Sequence, residues 1–133
     1  MANGEYSDDP TILDEAELWR RIPPWHFVND ENVGQMRPSK AAFDNHPNGS
    51  PMSVVLADAV TQSGRGPGAV LTGHEGFALA AITAGLARAC EQGVARESLP
   101  DEPAHAVVFG RKTDSVKKKL ARGSRWIVPP PAL

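Results

Sequence analysis

The sequence contains a single cysteine, Cys90, among 133 residues. One cysteine excludes an internal disulfide and any metal site built from several cysteines, and a reducing cytoplasm is the simplest setting for it. The longest apolar run, around residues 77–87, is too short and too rich in alanine to span a bilayer. The acidic N-terminal stretch has no apolar core of the kind that a secretory signal carries. We therefore expect a cytoplasmic protein without a membrane partner.

Short motifs that fix a reaction are also missing. The glycine-rich segment 64–68 lacks the Gly-Lys-Ser/Thr ending of a phosphate loop and the spacing of a dinucleotide-binding loop. The histidines match no short metal signature, and the HExxH pattern is absent. Neither a metal nor a cofactor is predicted, and whether the protein is an enzyme stays open, with the balance against catalysis.

What the sequence does contain is typical of a globular protein. It is 41% hydrophobic and 23% charged, and its length suits one domain with a real core. We predict a flexible acidic tail over 1–13, one α+β domain over 14–128 and a proline-rich tail over 129–133. The expected architecture is a small mixed sheet packed against a buried helix, with irregular loops rich in proline and glycine.

The residue pattern predicts the following elements. Helices are expected at 14–22, 40–43, 53–60, 77–92 and 114–122. Extended segments are expected at 25–28, 69–72, 105–109 and 126–128. Segment 53–60 fits a strand nearly as well, because Val54, Val55 and Leu56 favour one. In the helix over 77–92, Gly85 costs about 1 kcal/mol relative to alanine, which predicts close approach to a neighbouring element.

Charge is distributed unevenly along the chain. Residues 1–18 carry six acids and no base, whereas residues 105–133 carry seven bases and one acid, although the net charge is only −2. The basic candidates for binding are Lys117, Lys118, Lys119, Arg122 and Arg125. They suit phosphate contacts with nucleic acid, but a solvated helix face with bases near its C-terminus is the commoner case.

Two further residues are candidates for binding. Arg37 stands beside a rigid proline and is suited to clamping an anion, while an equally plausible role is to tie loop carbonyls to the core. Trp25 suits a partner anchor, although tryptophan is more often a core residue. The candidates for catalysis are Arg37, Ser53, Glu75 and His105, which would surround a nucleotide-like anion if they met in one pocket.

Some segments resemble known proteins. The segments 18–24 (LWRRIPP), 37–43 (RPSKAAF), 50–57 (SPMSVVLA) and 103–110 (PAHAVVFG) resemble a scattered group of short bacterial proteins with no assigned activity. Trp19-Arg20, Ser53 and Glu75 are similar in order to the motif residues of ADP-ribosyltransferase-like toxin domains, although the Ser-Thr-Ser segment is absent. That second resemblance implies transfer chemistry on a nucleotide.

These observations favour a small bacterial protein-binding or accessory module, of an immunity-like kind, without catalytic activity. One alternative is a small enzyme acting on a nucleotide-like anion, as in ADP-ribosyltransferase-like domains. The other is a weak nucleic-acid binder that uses the basic C-terminal helix.

Overall fold

A six-stranded antiparallel sheet is the centre of the fold. The computed structural model describes residues 6–32 and 34–131. In sheet order the strands are β6 (Gly93–Arg96), β7 (His105–Phe109), β4 (Met52–Leu56), β1 (Glu17–Ile22), β5 (Ala78–Thr83) and β8 (Arg125–Val128). A separate hairpin consists of β2 (Phe27–Asp30) and β3 (Gln35–Pro38).

Four α-helices within the described residues complete the single domain. They are α1 (Ala57–Gln62), α2 (Pro67–Val70), α3 (Ala84–Ala89) and α4 (Asp114–Gly123). The predicted α+β class is confirmed. The sheet is antiparallel in every strand pairing of the described residues, not mixed as expected. No helix in the described part of the chain is long and apolar enough to cross a membrane.

The core lies on both faces of the sheet because side chains alternate along each strand. On the first face, Leu18 and Ile22 of β1 pack with Phe43 and with Leu120 of α4. On the second face, Trp19, Leu79, Val60 and Val70 form a smaller cluster against α1 and α2. The first face is covered more fully, by α3, α4 and the segment around Phe43, while part of the second face stays open.

Several local predictions are confirmed. Residues Lys40–Phe43 form a single 3₁₀ turn, and the Ser39 hydroxyl caps it by accepting from the Ala41 amide at 3.0 Å. Helix α4 begins after Thr113, whose hydroxyl accepts from the Val116 amide at 3.2 Å. Strands β7 and β8 fall where they were expected. Each of these segments carries its own cap or breaker, so local chemistry is enough to define it.

The prediction of helices at 14–22 and 77–92 is wrong over most of both segments. Residues 17–22 form β1, which lies between β4 and β5, and residues 78–83 form β5, which lies between β1 and β8. Only 84–89 is helical in the second segment. Both strands are hydrogen-bonded on two sides, and this tertiary pairing overrides the intrinsic preference of alanine for helices.

Three other segments also differ from expectation. Segment 53–60 divides into strand β4 and helix α1 at Leu56. The strand predicted at 69–72 is wrong, since helix α2 ends at Val70 and a turn follows. The extended piece at 25–28 is a 3₁₀ turn, Pro24–His26, followed by β2.

The described part of the expected acidic tail, residues 6–13, packs on the domain. The Asp9 amide donates to the Val94 carbonyl at 2.8 Å, and the Asp8 carboxylate accepts from the Val94 amide at 2.9 Å, so both lie along the free edge of β6. Arg88 pairs with Asp8 at 3.2 Å and with Asp14 at 2.7 Å. Acids near the N-terminus are therefore paired with bases of α3 and, through Asp9 and Arg96 at 3.3 Å, of β6.

Gly85 shows the close approach that its position predicted. Its amide donates to the Asp14 carbonyl at 2.8 Å, and a Cβ at this position would lie 3.1 Å from the Asp14 Cβ.

Candidate functional site

A basic groove lies between the β2–β3 hairpin and helix α4, on the first face of the sheet. Its volume is about 700 Å³. Its cationic residues are Arg37 of β3, Lys40 of the 3₁₀ turn, and Lys118 and Arg122 of α4. Three separate chain segments thus supply the charge, and apolar atoms of Val28, Ala41 and Ala121 also line the groove. We call this the basic groove below.

Local contacts fix the walls of the basic groove. The Trp126 indole donates to the Met36 carbonyl at 3.0 Å, and the Phe27 ring meets the Trp126 ring edge-on at 5.9 Å, so the hairpin is tied to β8. Leu120 is fully buried and holds α4 on the sheet. The cations therefore project from supports that packing keeps in place.

Acidic residues balance part of the groove's charge. Asp30 lies 3.5 Å from Arg37, and Asp114 pairs with Lys40 at 2.6 Å and with Lys118 at 3.2 Å. These hydrogen bonds, first from Lys40 and then from Lys118, lower the pKa of Asp114 below its ordinary value. Arg122 has no ion pair within the described residues. The groove keeps an excess of positive charge.

A second depression, the polar cleft, opens on the other face of the sheet. Its volume is about 520 Å³, and it contains Arg21, Ser53, Arg65, Glu102 and His105 among its polar residues. Arg65 binds Glu102 through two hydrogen bonds of 2.9 and 2.7 Å. This pairing is the main reason why the pKa of Arg65 is raised and the pKa of Glu102 is lowered.

Two partly buried cations support the sheet near these sites. Arg20 donates to the Ala42 carbonyl at 2.9 Å and to the Ser53 carbonyl at 2.7 Å, and burial lowers its pKa to about 10 despite the nearby Asp44. Lys112 donates to Asn45 at 2.8 Å and to the Val108 carbonyl at 3.0 Å, and burial lowers its pKa to about 8. Arg20 thus ties β1 to the 3₁₀ turn and to β4, and Lys112 ties the end of β7 to Asn45 of the loop over 44–51, so both roles are structural.

The structure divides the predicted site residues among several places. Arg37, Lys118 and Arg122 share the basic groove, and Ser53 and His105 share the polar cleft. Lys117 pairs with Asp44 at 3.3 Å, and Arg125 pairs with Glu17 at the sheet. Lys119 lines a different, smaller depression beside Arg111.

The remaining two candidates, Trp25 and Glu75, lie on the surface. Trp25 is in the 3₁₀ turn before β2, and Glu75 is in the turn before β5. Trp25 is 74% exposed and meets the Phe77 ring edge-on at 5.9 Å. Glu75 is exposed in the turn before β5 and lines neither the groove nor the cleft. The four catalytic candidates therefore do not converge, and of the residues similar to the toxin-domain motif, Trp19, Arg20 and Ser53 line the polar cleft but Glu75 lies outside it.

Sequence reasoning missed Arg21, Lys40, Arg65 and Glu102 as site residues. The sequence did offer one signal, the pair Arg20-Arg21 inside an apolar stretch. This pair indicates site residues only if the stretch is known to be a strand. Alternation then places the two arginines on opposite faces of the sheet. Among residues 6–32 and 34–131, no group of three or more His, Cys, Asp or Glu side chains is arranged to hold a metal ion.

In comparisons with known proteins, no family model, no curated protein and no solved structure matches this chain. The arguments that follow therefore depend on the chain's own geometry.

Proposed function

We propose that this protein is a non-catalytic binding module that docks an acidic segment of a partner protein in the basic groove. The observation that carries the proposal is the convergence of Arg37, Lys40, Lys118 and Arg122 on one depression of about 700 Å³. An accessory, immunity-like role in the cytoplasm follows from the same proposal, and the single buried Cys90 suits a reducing compartment.

The groove's mixed lining favours a peptide segment as the occupant. Side chains of Arg37, Lys40 and Lys118 are about half exposed, so they are accessible to a partner's carboxylates. Each exposed ion pair contributes only about 0.2–1 kcal/mol, so apolar contacts with Val28, Ala41 and Ala121 must add to the affinity. A segment that alternates acidic and apolar side chains meets both requirements.

Nucleic acid fits the same surface less well. The consecutive lysines of α4 diverge, since Lys117 turns to Asp44 and Lys119 lines another depression. No aromatic ring among the described residues lines the groove, so it has no platform on which bases would stack. The two acids beside the groove also interrupt the stripe of charge that a phosphate backbone requires.

Trp25 is a second contact candidate on the same protein. An indole that is 74% exposed and supported by the Phe77 ring is suited to anchoring a partner. It lies outside the lining of the basic groove, so its contribution is measured separately.

The test compares two charge reversals on the same helix. A fluorescein-labelled peptide that alternates glutamate and leucine is titrated with the protein at low salt and followed by anisotropy. Arg122→Glu should weaken binding about tenfold or more, equivalent to about 1.4 kcal/mol. Lys119→Glu makes the same change in net charge outside the groove and should weaken binding less than about threefold, since only general attraction changes.

Two outcomes would contradict the proposal. Equal losses in the two variants would mean that net charge, not the groove, attracts the peptide. Tighter binding of a labelled single-stranded oligonucleotide than of the peptide would favour the nucleic-acid alternative. In the native host, a tagged copy should co-purify a stoichiometric partner that Arg122→Glu loses and Lys119→Glu keeps.

A further inference from the structure

The polar cleft brings three chemically active side chains onto one face of neighbouring strands. Trp19 of β1 pairs with Val55 of β4, so alternation along the two strands puts Arg21 and Ser53 on the same face, where both line the cleft. On the other side of β4, Ser53 pairs with Val107 and Val55 pairs with His105, so His105 is the diagonal neighbour of Ser53. Directly opposite neighbours on one face lie about 5 Å apart at their Cβ atoms, and diagonal ones lie about 7–8 Å apart, a gap that one ligand group can bridge.

Arg21 is fixed in place but keeps its terminal nitrogens available. Its Nε donates to the Val70 carbonyl of α2 at 2.7 Å, and its terminal nitrogens have no hydrogen bond within the described residues. Two acids line the cleft, Asp101 and Glu102, and Glu102 is engaged by both terminal nitrogens of Arg65 and by the Ala104 amide at 3.2 Å. The guanidinium of Arg21 is therefore held at one end and open to a ligand at the other.

His105 is oriented for a ligand by its own backbone surroundings. Its Nδ1 lies 2.9 Å from the Glu97 carbonyl, which assigns the hydrogen to Nδ1 and leaves Nε2 for other partners. The side chain is only 12% exposed, so the ring has little freedom to turn. Ser53 is exposed between the other two residues and supplies a hydroxyl that donates or accepts.

We propose that the polar cleft binds a small phosphate monoester, with acceptor oxygens of the phosphate held by Arg21 and Ser53 and with a protonated phosphate oxygen donating to Nε2 of His105. Donors on two strands and an acceptor on a third suit a monoanionic phosphate, which carries acceptor oxygens and one hydroxyl, better than a carboxylate, which only accepts. The rest of the molecule lies along the apolar lining of Val55, Val70 and Leu99. His74 also lines the cleft, and its contact with Phe77 at 5.1 Å extends the lining to an aromatic surface.

The inferred role is binding rather than group transfer. No hydrogen bond joins the Ser53 hydroxyl and His105 among the described residues, so the pair lacks the contact that activates a serine nucleophile. The cleft and the basic groove lie on opposite faces of the sheet. Occupancy of one site is therefore measurable while the other is mutated.

The experiment is a titration of the ¹⁵N-labelled protein with inorganic phosphate and then with adenosine monophosphate, followed by amide shifts. Saturable shifts should centre on residues 21, 53 and 105, with the monophosphate binding tighter than phosphate and with adenosine or acetate causing no saturable change. Arg21→Gln should weaken binding tenfold or more. Arg111→Gln, a matched change at an exposed arginine outside the cleft, should leave binding unchanged.

Ser53→Ala is the second variant, because this exposed residue can lose its hydroxyl without loss of a core contact. It should weaken phosphate binding severalfold even if Arg21→Gln fails to fold. Shifts centred on the basic groove, equal effects of Arg21→Gln and Arg111→Gln, or acetate binding as tight as phosphate would each overturn the proposal. The acidic peptide should bind Ser53→Ala as tightly as it binds the unmodified protein. Each proposal is therefore tested independently of the other.

Discussion

Gly93→Ala should destabilise the protein because an aromatic ring occupies the space that a Cβ needs. Gly93 of β6 pairs directly with Phe109 of β7, and the ring lies across the glycine. A Cβ at position 93 would be 2.1 Å from the Phe109 Cζ and 2.6 Å from both Cε atoms. Carbon atoms in contact prefer about 3.5–4.0 Å, so the ring would have to move by more than about 1 Å.

Opposing effects set the size of this loss. Overpacking of this kind costs about 1–3 kcal/mol. Displacing the ring also disturbs its stacking on Tyr6, 5.7 Å away, and such pairs contribute about 0.5–1.5 kcal/mol. Alanine is better than glycine in a strand by about 0.5–1 kcal/mol, which offsets part of the loss. We expect a net destabilisation of about 1–3 kcal/mol.

The assay is urea unfolding of Gly93→Ala, Phe109→Ala and the double variant. With Phe109 shortened, Gly93→Ala should become neutral or slightly stabilising, giving a coupling energy of about 1 kcal/mol or more. Gly68→Ala is the matched control, since no atom lies within 4 Å of its Cβ position, and it should not lower stability. If Gly93→Ala costs the same with and without the Phe109 ring, the steric explanation is refuted.

Three further predictions concern α4 and the buried lysine. Leu120→Ala should cost about 2–5 kcal/mol in urea unfolding, because Leu120 is fully buried under the sheet; a cost under 1 kcal/mol would contradict that packing. Thr113→Ala should cost about 1 kcal/mol through loss of the cap on Val116, whereas Thr113→Ser should lose little. Burial lowers the pKa of Lys112 from 10.5 to about 8 in the folded protein. Between pH 8 and pH 10.5, Lys112 therefore carries a proton in the unfolded chain that it has lost in the folded one. Stability relative to Lys112→Met should therefore rise from pH 8 to pH 10.5, and a flat difference would argue against the lowered pKa.

Part of the fold was accessible from local sequence chemistry. Ser39 and Thr113 each accept from a backbone amide at the start of a helical segment, and such caps act within a few residues. The run at 105–109 is apolar, β-branched in part and ended by Gly110, so it was readable as a strand. Val116 and Leu120 of α4 are four residues apart and show the helical spacing that indicates one buried face.

The candidate sites were less accessible because they are assembled across strands. The sequence marked Arg37, Lys118 and Arg122 as separate cations, but only the packing of the hairpin against α4 places them in one groove. It marked Ser53 and His105 with Arg37 and Glu75, whereas the sheet puts Ser53 in one cleft with Arg21 and puts Arg37 in the groove on the opposite side.

By itself, the sequence determined a single α+β domain, its capped short helices and the surplus of bases near its C-terminus, because these depend on composition and on contacts within a turn. Only the tertiary structure decided that the alanine-rich segment 78–83 is a strand. Its small side chains are fully or nearly buried, and its backbone groups pair with β1 and β8, which no local propensity encodes. Long-range hydrogen bonding between strands thus fixes both the sheet order and the side chains that share each face.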